Sequence, residues 1–475
     1  MSEKGTYESP LVSRYASAEL AYIWSPERQH RLWRRLWLAL AEAEKDLGLP
    51  ISKKQLAEMR QHLDDIDYAT VRRYERRLRH ELMAHLRAWG EQCPSARGIM
   101  HLGATSCDIT DNAELIQLRE SLELVRLGVV NVIDGLGRFA NRYRSLPTLG
   151  YTHFQPAQPT TVGKRASLWL YDLVMDLGVV ESDIADLHFR GTKGATGTQA
   201  SFLELFGGDA RKVVKLERMV ARKMGFQEVY PVTGQTYPRK VDSAILGALS
   251  AIAQSAHKFA CDLRLLAHLR EVEEPFEAEQ VGSSAMPYKR NPMRAERMTA
   301  LARFVITLGQ AADFTAANQW LERTLDDSAN RRLTLPQAFL ATDGVLRLYQ
   351  DVASGLVVNR EVIGANLRRE LPFLACERVL MEAVRAGGDR QALHEKLRQH
   401  AQAALARVKV GQTNDLFDRL RADPAFAEVS LDELLNPRLH IGLAAEQTRA
   451  FLRDYVAPVR RRYRRLLGRR VQLEV

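Results

Sequence analysis

Apolar positions recur along much of this chain in steps of three and four. The longest run is Leu115, Leu118, Leu122, Val125, Val129, Val132, Leu136, Phe139 and Tyr143. That spacing keeps these side chains on one face of an α-helix, and at 1.5 Å per residue the stripe is roughly 40 Å long. A seam of that length cannot be buried inside a small domain. It predicts a bundle of long helices whose seam neighbouring subunits can share. The segment from Val241 to Leu269 repeats the pattern with Ile245, Ala248, Ile252, Ala256, Phe259, Leu263 and Leu266. Nearer the start, Ser25-Pro26-Glu27 reads as an N-cap, a first-turn proline and an early acid. The helix that follows keeps Leu32, Leu36, Leu40, Ala43 and Leu47 on one face, and Gly48 and Pro50 end it. Asn291-Pro292 opens a further helix through ALARFVITLGQAADF. Strand-like alternation is sparse, and no repeat of fixed period is present. The expected fold is all-α, in three parts: an N-terminal helical region (1–105), a long-helix core (106–358) and a C-terminal helical region (359–475).

Composition narrows the class. A chain of 475 residues with 46% hydrophobic and 27% charged residues can bury a large core without disulfide or metal staples. The four cysteines, Cys93, Cys107, Cys261 and Cys376, are scattered without a CxxC pair, which argues against a zinc site or a disulfide framework. No apolar run reaches membrane-spanning length, and MSEKGTYESPLVSRYAS carries no signal-peptide core, so a cytoplasmic protein is expected. The formal net charge is +10, which raises nucleic acid as a partner. No RNA- or DNA-binding motif accompanies that charge, and small anionic substrates explain it equally well. The densest basic stretch, VRRRYRRLLGRR (459–470), reads as a solvated terminal helix or a subunit contact.

Four polar segments interrupt the helical pattern. HLGATSCDITDN (101–112) precedes the long seam; it is either an elaborate helix cap or a set of hydroxyl and backbone donors for a ligand. YTHFQPAQPTTVGKR (151–165) places His153 among polar and proline residues, where it is either structural or a proton donor. FRGTKGATGTQASF (189–202) is either a bare turn or a loop whose backbone donors wrap an oxyanion or carboxylate; it lacks P-loop spacing. GSSAMPYKRNPMRAER (282–297) sets small flexible residues before Lys289, Arg290, Arg294 and Arg297. It is either a lid that closes over an anion or a polar helix connection. WLERTLDDSANRR (320–332) adds Arg323, Ser328 and Arg332, which are either candidate anion clamps or members of surface ion pairs. Neither HExxH nor Gly-x-Ser-x-Gly is present.

Together these segments carry a resemblance. GSSAMPYKRNP resembles the signature loop of the fumarase/aspartase superfamily. HLGATSCDITDN, THFQPAQPTTVGKR, KGATGTQASF, TGQTYPRKVD and RTLDDSANRR are similar, in the same order, to the adenylosuccinate lyase family within it. The resemblance covers nearly the whole chain. It implies three helical domains, a twenty-helix core in a homotetramer, and active sites shared between subunits. It also implies β-elimination of fumarate from adenylosuccinate, giving AMP, and from SAICAR, giving AICAR, with no metal or organic cofactor and no nucleic-acid or membrane partner.

Residue by residue, the resemblance implies Ser283 as general base, His153 as general acid, and Lys289 as the loop cation beside the base. The cations after the serines would hold the succinyl carboxylates. Arg14 and Tyr15 match phosphate contacts; Arg323, Ser328 and Arg332 match further nucleotide contacts. Arg79, His80 and Glu81 match a triplet that contacts substrate and assists the acid histidine. Thr105 and Ser106 match succinyl-carboxylate contacts, Thr152, Gln235 and Arg297 other substrate contacts, and Met286 and Asn291 belong to the signature loop. One position departs: the triplet usually reads Arg-His-Asp, and Glu81 is one methylene longer, which bears on the orientation of His80. Two alternatives accompany this reading: a lyase for another substrate, of the argininosuccinate type, and a structural homologue retired from catalysis.

Overall fold

The long seams fold as their periodicity predicts. In the computed structural model, which describes residues 5–469 and 471–473, Ser106–Arg142 is one helix of 37 residues. Every position of its seam from Leu115 to Tyr143 is buried. Four more long helices surround it: Val162–Asp186, Lys240–His268, Met293–Ala317 and Asp326–Gly355. The Ser106 helix packs against the Val162 and Asp326 helices, and the Lys240 helix against the Val162, Met293 and Asp326 helices. The second seam, Ile245 to Leu266, is buried throughout. A single apolar cluster runs from Leu11 to Val456, and a separate one gathers Ala375 to Leu434.

Local chemistry sets the ends. Ser25 Oγ accepts from the Arg28 N–H at 3.2 Å and starts the helix Pro26–Asp46. The helices Tyr68–Leu78 and Glu81–Gln92 are separated by Arg79, whose φ of 53° is left-handed and ends the first of them. His80 then caps the second, its Nδ1 accepting from Met83 N at 3.4 Å.

The strand content exceeds what the sequence pattern suggests. β1 (Pro147–Thr152) and β2 (Gln155–Thr161) form an antiparallel hairpin. His153 and Phe154 make its two-residue turn with φ of 53° and 58°. Positive φ at both central positions is the primed turn that matches strand twist, here adopted without glycine or asparagine. Apolar alternation is missing because both strands are polar and proline-rich. The hairpin is instead anchored by Glu271, which is buried and accepts from Tyr151 OH at 3.2 Å, Thr148 Oγ1 at 3.4 Å and Asn366 Nδ2 at 2.9 Å. At the hairpin exit a Cβ on Gly163 would stand 2.5 Å from the Ala140 carbonyl, so the chain can turn tightly there only with glycine. β3 (Val272–Glu273) pairs with β4 (Val357–Val358).

The basic C-terminal stretch folds back on its own chain. Arg460 pairs with Asp134 at 2.7 Å and Arg462 with Glu181 at 2.8 Å; Arg470 lies outside the described residues. Among the described residues no helix is long and apolar enough to cross a membrane.

Candidate active site

A cleft of about 840 Å³ opens between the N-terminus of the Ser106 helix, the link from Arg79 to Glu81, the segment around Gln235 and the start of the Asp326 helix. Arg79, His80, Glu81, Ser106, Gln235, Arg323, Ser328 and Arg332 all line it. These eight come from segments far apart in sequence; Glu81 and Arg332, 251 positions apart, form an ion pair at 2.7 Å. Thr105 caps the Ser106 helix, with its N–H donating to Asp108 Oδ2 at 2.7 Å. The helix N-terminus beside Ser106 therefore faces the cleft, a position that favours anions.

Glu81 does not hold His80. Its carboxylate lies between Arg332 and His30, whose Nε2 is 3.6 Å away. The His30 contact, together with Arg332, outweighs burial and holds the Glu81 carboxyl down at about 2. Glu81 is thus tied to a neighbouring cation of the cleft. The His30 ring lies against that of His85, with ring centroids 3.9 Å apart and planes tilted by 35°.

The floor is a buried ionic network. Arg239 bridges Asp327 at 2.7 Å and Asp111 at 3.1 Å. Arg323 reaches the other oxygen of Asp327 at 2.7 Å. Arg331 binds Asp242 at 2.7 Å and Glu114 at 2.9 Å. Burial opposes ionisation of Asp327, but Arg239 and Arg323 outweigh it and keep its carboxyl below the ordinary range. Burial pushes the Cys107 thiol up to about 12, so it stays protonated; it donates weakly to Gln235 Oε1 at 3.7 Å. Such a network adds little net stability, because desolvation offsets attraction. What it supplies is a rigid floor with fixed charges.

The remaining sequence-predicted residues stand elsewhere in the protomer. Arg14 and Tyr15 belong to the short helical turn Leu11–Tyr15, and Tyr15 packs against Gly344. Gly344 lies twelve residues beyond Arg332 on the same helix, about 18 Å along its axis. Thr152 and His153 are exposed at the hairpin tip, and His153 makes no hydrogen bond or ion pair with any described residue. Ser283, Met286, Lys289 and Asn291 lie in the connection between β3 and the Met293 helix. Arg297 sits in the first turns of that helix, half-buried. None of these residues lines the cleft.

The connection has internal order. Ser283 Oγ accepts from the backbone N–H of Met286 at 3.1 Å and of Ala285 at 3.4 Å. Asn291 Nδ2 donates to the Gly282 carbonyl at 2.9 Å, closing the loop on itself. Lys289 is exposed. Two of its neighbours are not anion clamps: Arg290 lies over the Phe276 ring at 5.0 Å, and Arg294 is buried, paired with Glu277 at 2.5 Å and Asp351 at 3.1 Å. The cation cluster legible in the sequence is thus divided by packing.

The glycine-rich segment does wrap a carboxylate, but one from its own chain. Asp108 Oδ1 accepts from the N–H groups of Lys193 at 2.8 Å and Gly194 at 3.2 Å and pairs with the fully buried Arg190. Lys193 is itself spent on Glu217 at 2.9 Å.

Other residues of the cleft carry no motif. Thr110 and Glu114 line it beside Ser106, and their spacing of four along the helix is the signal that places them on its face. Arg72 and Arg76 line the opposite wall with Arg79, again at helical spacing.

Comparison with known proteins adds the following. Residues 34–307 match the family model described as Lyase, and residues 372–451 match Adenylosuccinate lyase C-terminus. The chain is 49% identical over 463 residues to adenylosuccinate lyase of Schizosaccharomyces pombe, covering 96% of each chain. It is 48% identical over 462 residues to that of Saccharomyces cerevisiae, again 96% of each, and 47% identical over 473 residues to that of Schistosoma mansoni, 98% of each. Among solved structures, 3-carboxy-cis,cis-muconate lactonizing enzyme from Pseudomonas putida superposes with a TM-score of 0.81 at 24% identity, over 96% of this chain and 99% of that one. Fumarate lyase from Mesorhizobium sp. BNC1 gives 0.79 at 23%, over 94% and 100%. At these identities the two structures speak to the fold alone.

Proposed function

The chain belongs to the adenylosuccinate lyase family, and from that premise we propose that the cleft, the hairpin tip and the Ser283 loop are three parts of one active site, joined between protomers. The chain is a C–N lyase, and its reaction is elimination of fumarate from adenylosuccinate, leaving AMP. We take SAICAR as a second substrate, since the same bond is broken there.

The chemistry requires a base for the proton beside a carboxylate, a sink for the charge that builds on that carboxylate, and an acid for the departing nitrogen. Ser283 is the base. A serine hydroxyl is a poor one unless its alkoxide is stabilised, and the N–H groups of Ala285 and Met286 already point at its Oγ. Hydrogen bonds to the charged form lower the cost of ionisation. Lys289, on the same loop, adds positive charge. His153 is the acid; exposed at a hairpin tip, it can enter a neighbour's cleft. Ser106 and Thr105, at a helix N-terminus, receive the succinyl carboxylates, and Arg323, Ser328 and Arg332 receive the nucleotide, with Arg14 and Tyr15 supplied from another protomer. His80 and Arg79 complete the wall. Side chains and backbone N–H groups perform these steps, and the proposed mechanism uses no cofactor.

An open apolar stripe supports the shared-site reading. Leu168, Tyr171, Met175 and Val179 on the Val162 helix recur at three and four and remain 46–58% exposed. A homotetramer would cover such a stripe. We read the protein as cytoplasmic, with small-molecule substrates as its ligands.

The observation that carries this proposal is the convergence of eight motif residues on one cleft whose base and acid must come from elsewhere. The test is turnover of purified protein with adenylosuccinate, following fumarate, with argininosuccinate in parallel. Release from adenylosuccinate alone is expected; release from argininosuccinate alone would overturn the substrate assignment.

A further inference from the structure

The arginines of the cleft divide into two sets. Arg239, Arg323, Arg331 and Arg332 are each committed to a carboxylate at 2.7 to 3.1 Å. Arg72, Arg76 and Arg79 line the same cleft and make no ion pair with any described residue. They stand on the Tyr68–Leu78 helix and its first following residue, at spacings of four and three. That spacing gives them a common face, and all three are exposed. The other cations of this helix do have partners: Arg73 pairs with Glu91 at 2.8 Å, and Arg77 lies over the Tyr74 ring at 5.2 Å. Glu75 shares the cleft face and is likewise without an ion pair. Three arginines less one glutamate leave a surplus of two positive charges on that wall.

We propose that Arg72 and Arg76, continuing the line of Arg79, form an electrostatic capture face that draws the anionic nucleotide into the cleft. The inference rests on the proposed reaction, whose substrate carries a phosphate and two carboxylates. The committed arginines are neutralised by their own acids, so they contribute little field beyond the floor. The attractive potential at the mouth comes from the unpaired set. A cleft with low-dielectric walls focuses that potential and raises encounter with a polyanion, an effect that ionic strength screens. Arg72 and Arg76 act on approach, through charge, and need no fixed fork geometry with the bound substrate.

The experiment compares wild type, the double variant Arg72→Gln/Arg76→Gln and the charge-retaining Arg72→Lys/Arg76→Lys, each assayed from low to high salt. Wild-type turnover of adenylosuccinate is the control that separates failure of this inference from failure of the proposed reaction. The glutamine pair should lower kcat/KM roughly tenfold at low salt, with kcat within about twofold, and the gap should close as salt screens the face. The lysine pair should keep most of kcat/KM and its salt dependence. Unchanged kcat/KM in the glutamine pair, a deficit that salt does not reduce, or an equal loss in the lysine pair would each overturn the proposal.

Discussion

Gly282→Ala should disable the enzyme without unfolding it. Gly282 lies where the loop closes on itself, and a Cβ built there would stand 2.2 Å from the Lys289 carbonyl oxygen and 3.2 Å from Phe276 Cε2. An ordinary contact begins at 3.4 Å, so the two backbone strands of the loop must part by about 1.2 Å (3.4 minus 2.2). The obstacle is backbone, which cannot rotate aside as a side-chain tip can. Ser283 is the next residue, and the displacement passes directly to its Oγ and to the N–H groups of Ala285 and Met286 that it accepts from. A misplacement of about 1 Å at a reacting group costs on the order of 10²-fold in rate. Gly282 itself is buried, but the loop that follows is exposed from Ser284 to Arg290, so the strain relaxes into the loop at the roughly 1–3 kcal/mol cost of a local overpacking. The expected result is kcat reduced roughly a hundredfold with a melting temperature lowered by no more than about 3 °C. Fumarate release measures the first and a thermal melt the second. A variant with kcat within threefold of wild type would show that the pinch does not position Ser283. A variant that loses its fold would show that the loop is structural.

Three other outcomes follow from the same geometry. Ser283→Ala and His153→Ala should each abolish most turnover, while mixed oligomers of the two should regain part of it, because the proposed site draws its base and its acid from different protomers; no recovery in proven mixed oligomers would sink the shared-site reading. Glu44 is fully buried, neither carboxylate oxygen has a partner among the described residues, and burial pushes its carboxyl up to about 9 from 4.5. Its folded pKa is raised, so stability is greatest below pH 4.5 and declines as pH rises from there toward 9. Glu44→Gln should remove that slope and stabilise the protein at pH 7 by on the order of 3 kcal/mol, read as urea midpoints of both proteins at pH 5 and pH 8; parallel pH dependence in the two would refute it. Asp108→Ala should destabilise by about 3–5 kcal/mol, because it leaves Arg190 buried and uncompensated; a calorimetric melt with little change would mean that water or rearrangement replaces the carboxylate.

The division between what was legible and what was hidden follows the range of the forces involved. Helical periodicity is local, so Leu115 to Tyr143 announced a long helix and its buried face without reference to anything else in the chain. The Ser25 cap and the Asn291-Pro292 helix start were legible for the same reason. The β1–β2 hairpin was not, because its strands hold no apolar alternation and its turn uses His153 and Phe154 where glycine or asparagine is usual; its stability comes from Glu271, more than a hundred positions away. The role of the glycine-rich segment was likewise undecidable locally, since the carboxylate it wraps, Asp108, arrives on another helix.

For the site, the sequence by itself determined which residue types recur in which motifs, and through them the family. Only the tertiary structure decided which of those residues meet. It brought Arg79, His80, Glu81, Ser106, Gln235, Arg323, Ser328 and Arg332 to one cleft, and it left His153, Ser283 and Arg14 outside that lining. It also spent Arg294 on Glu277 and Asp351 and Arg323 on Asp327, while leaving Arg72 and Arg76 without ion pairs among the described residues. The physical reason is that a charge becomes functional or structural according to its neighbours in space. Those neighbours are set by the packing of five long helices, whose shared core no short window of sequence contains.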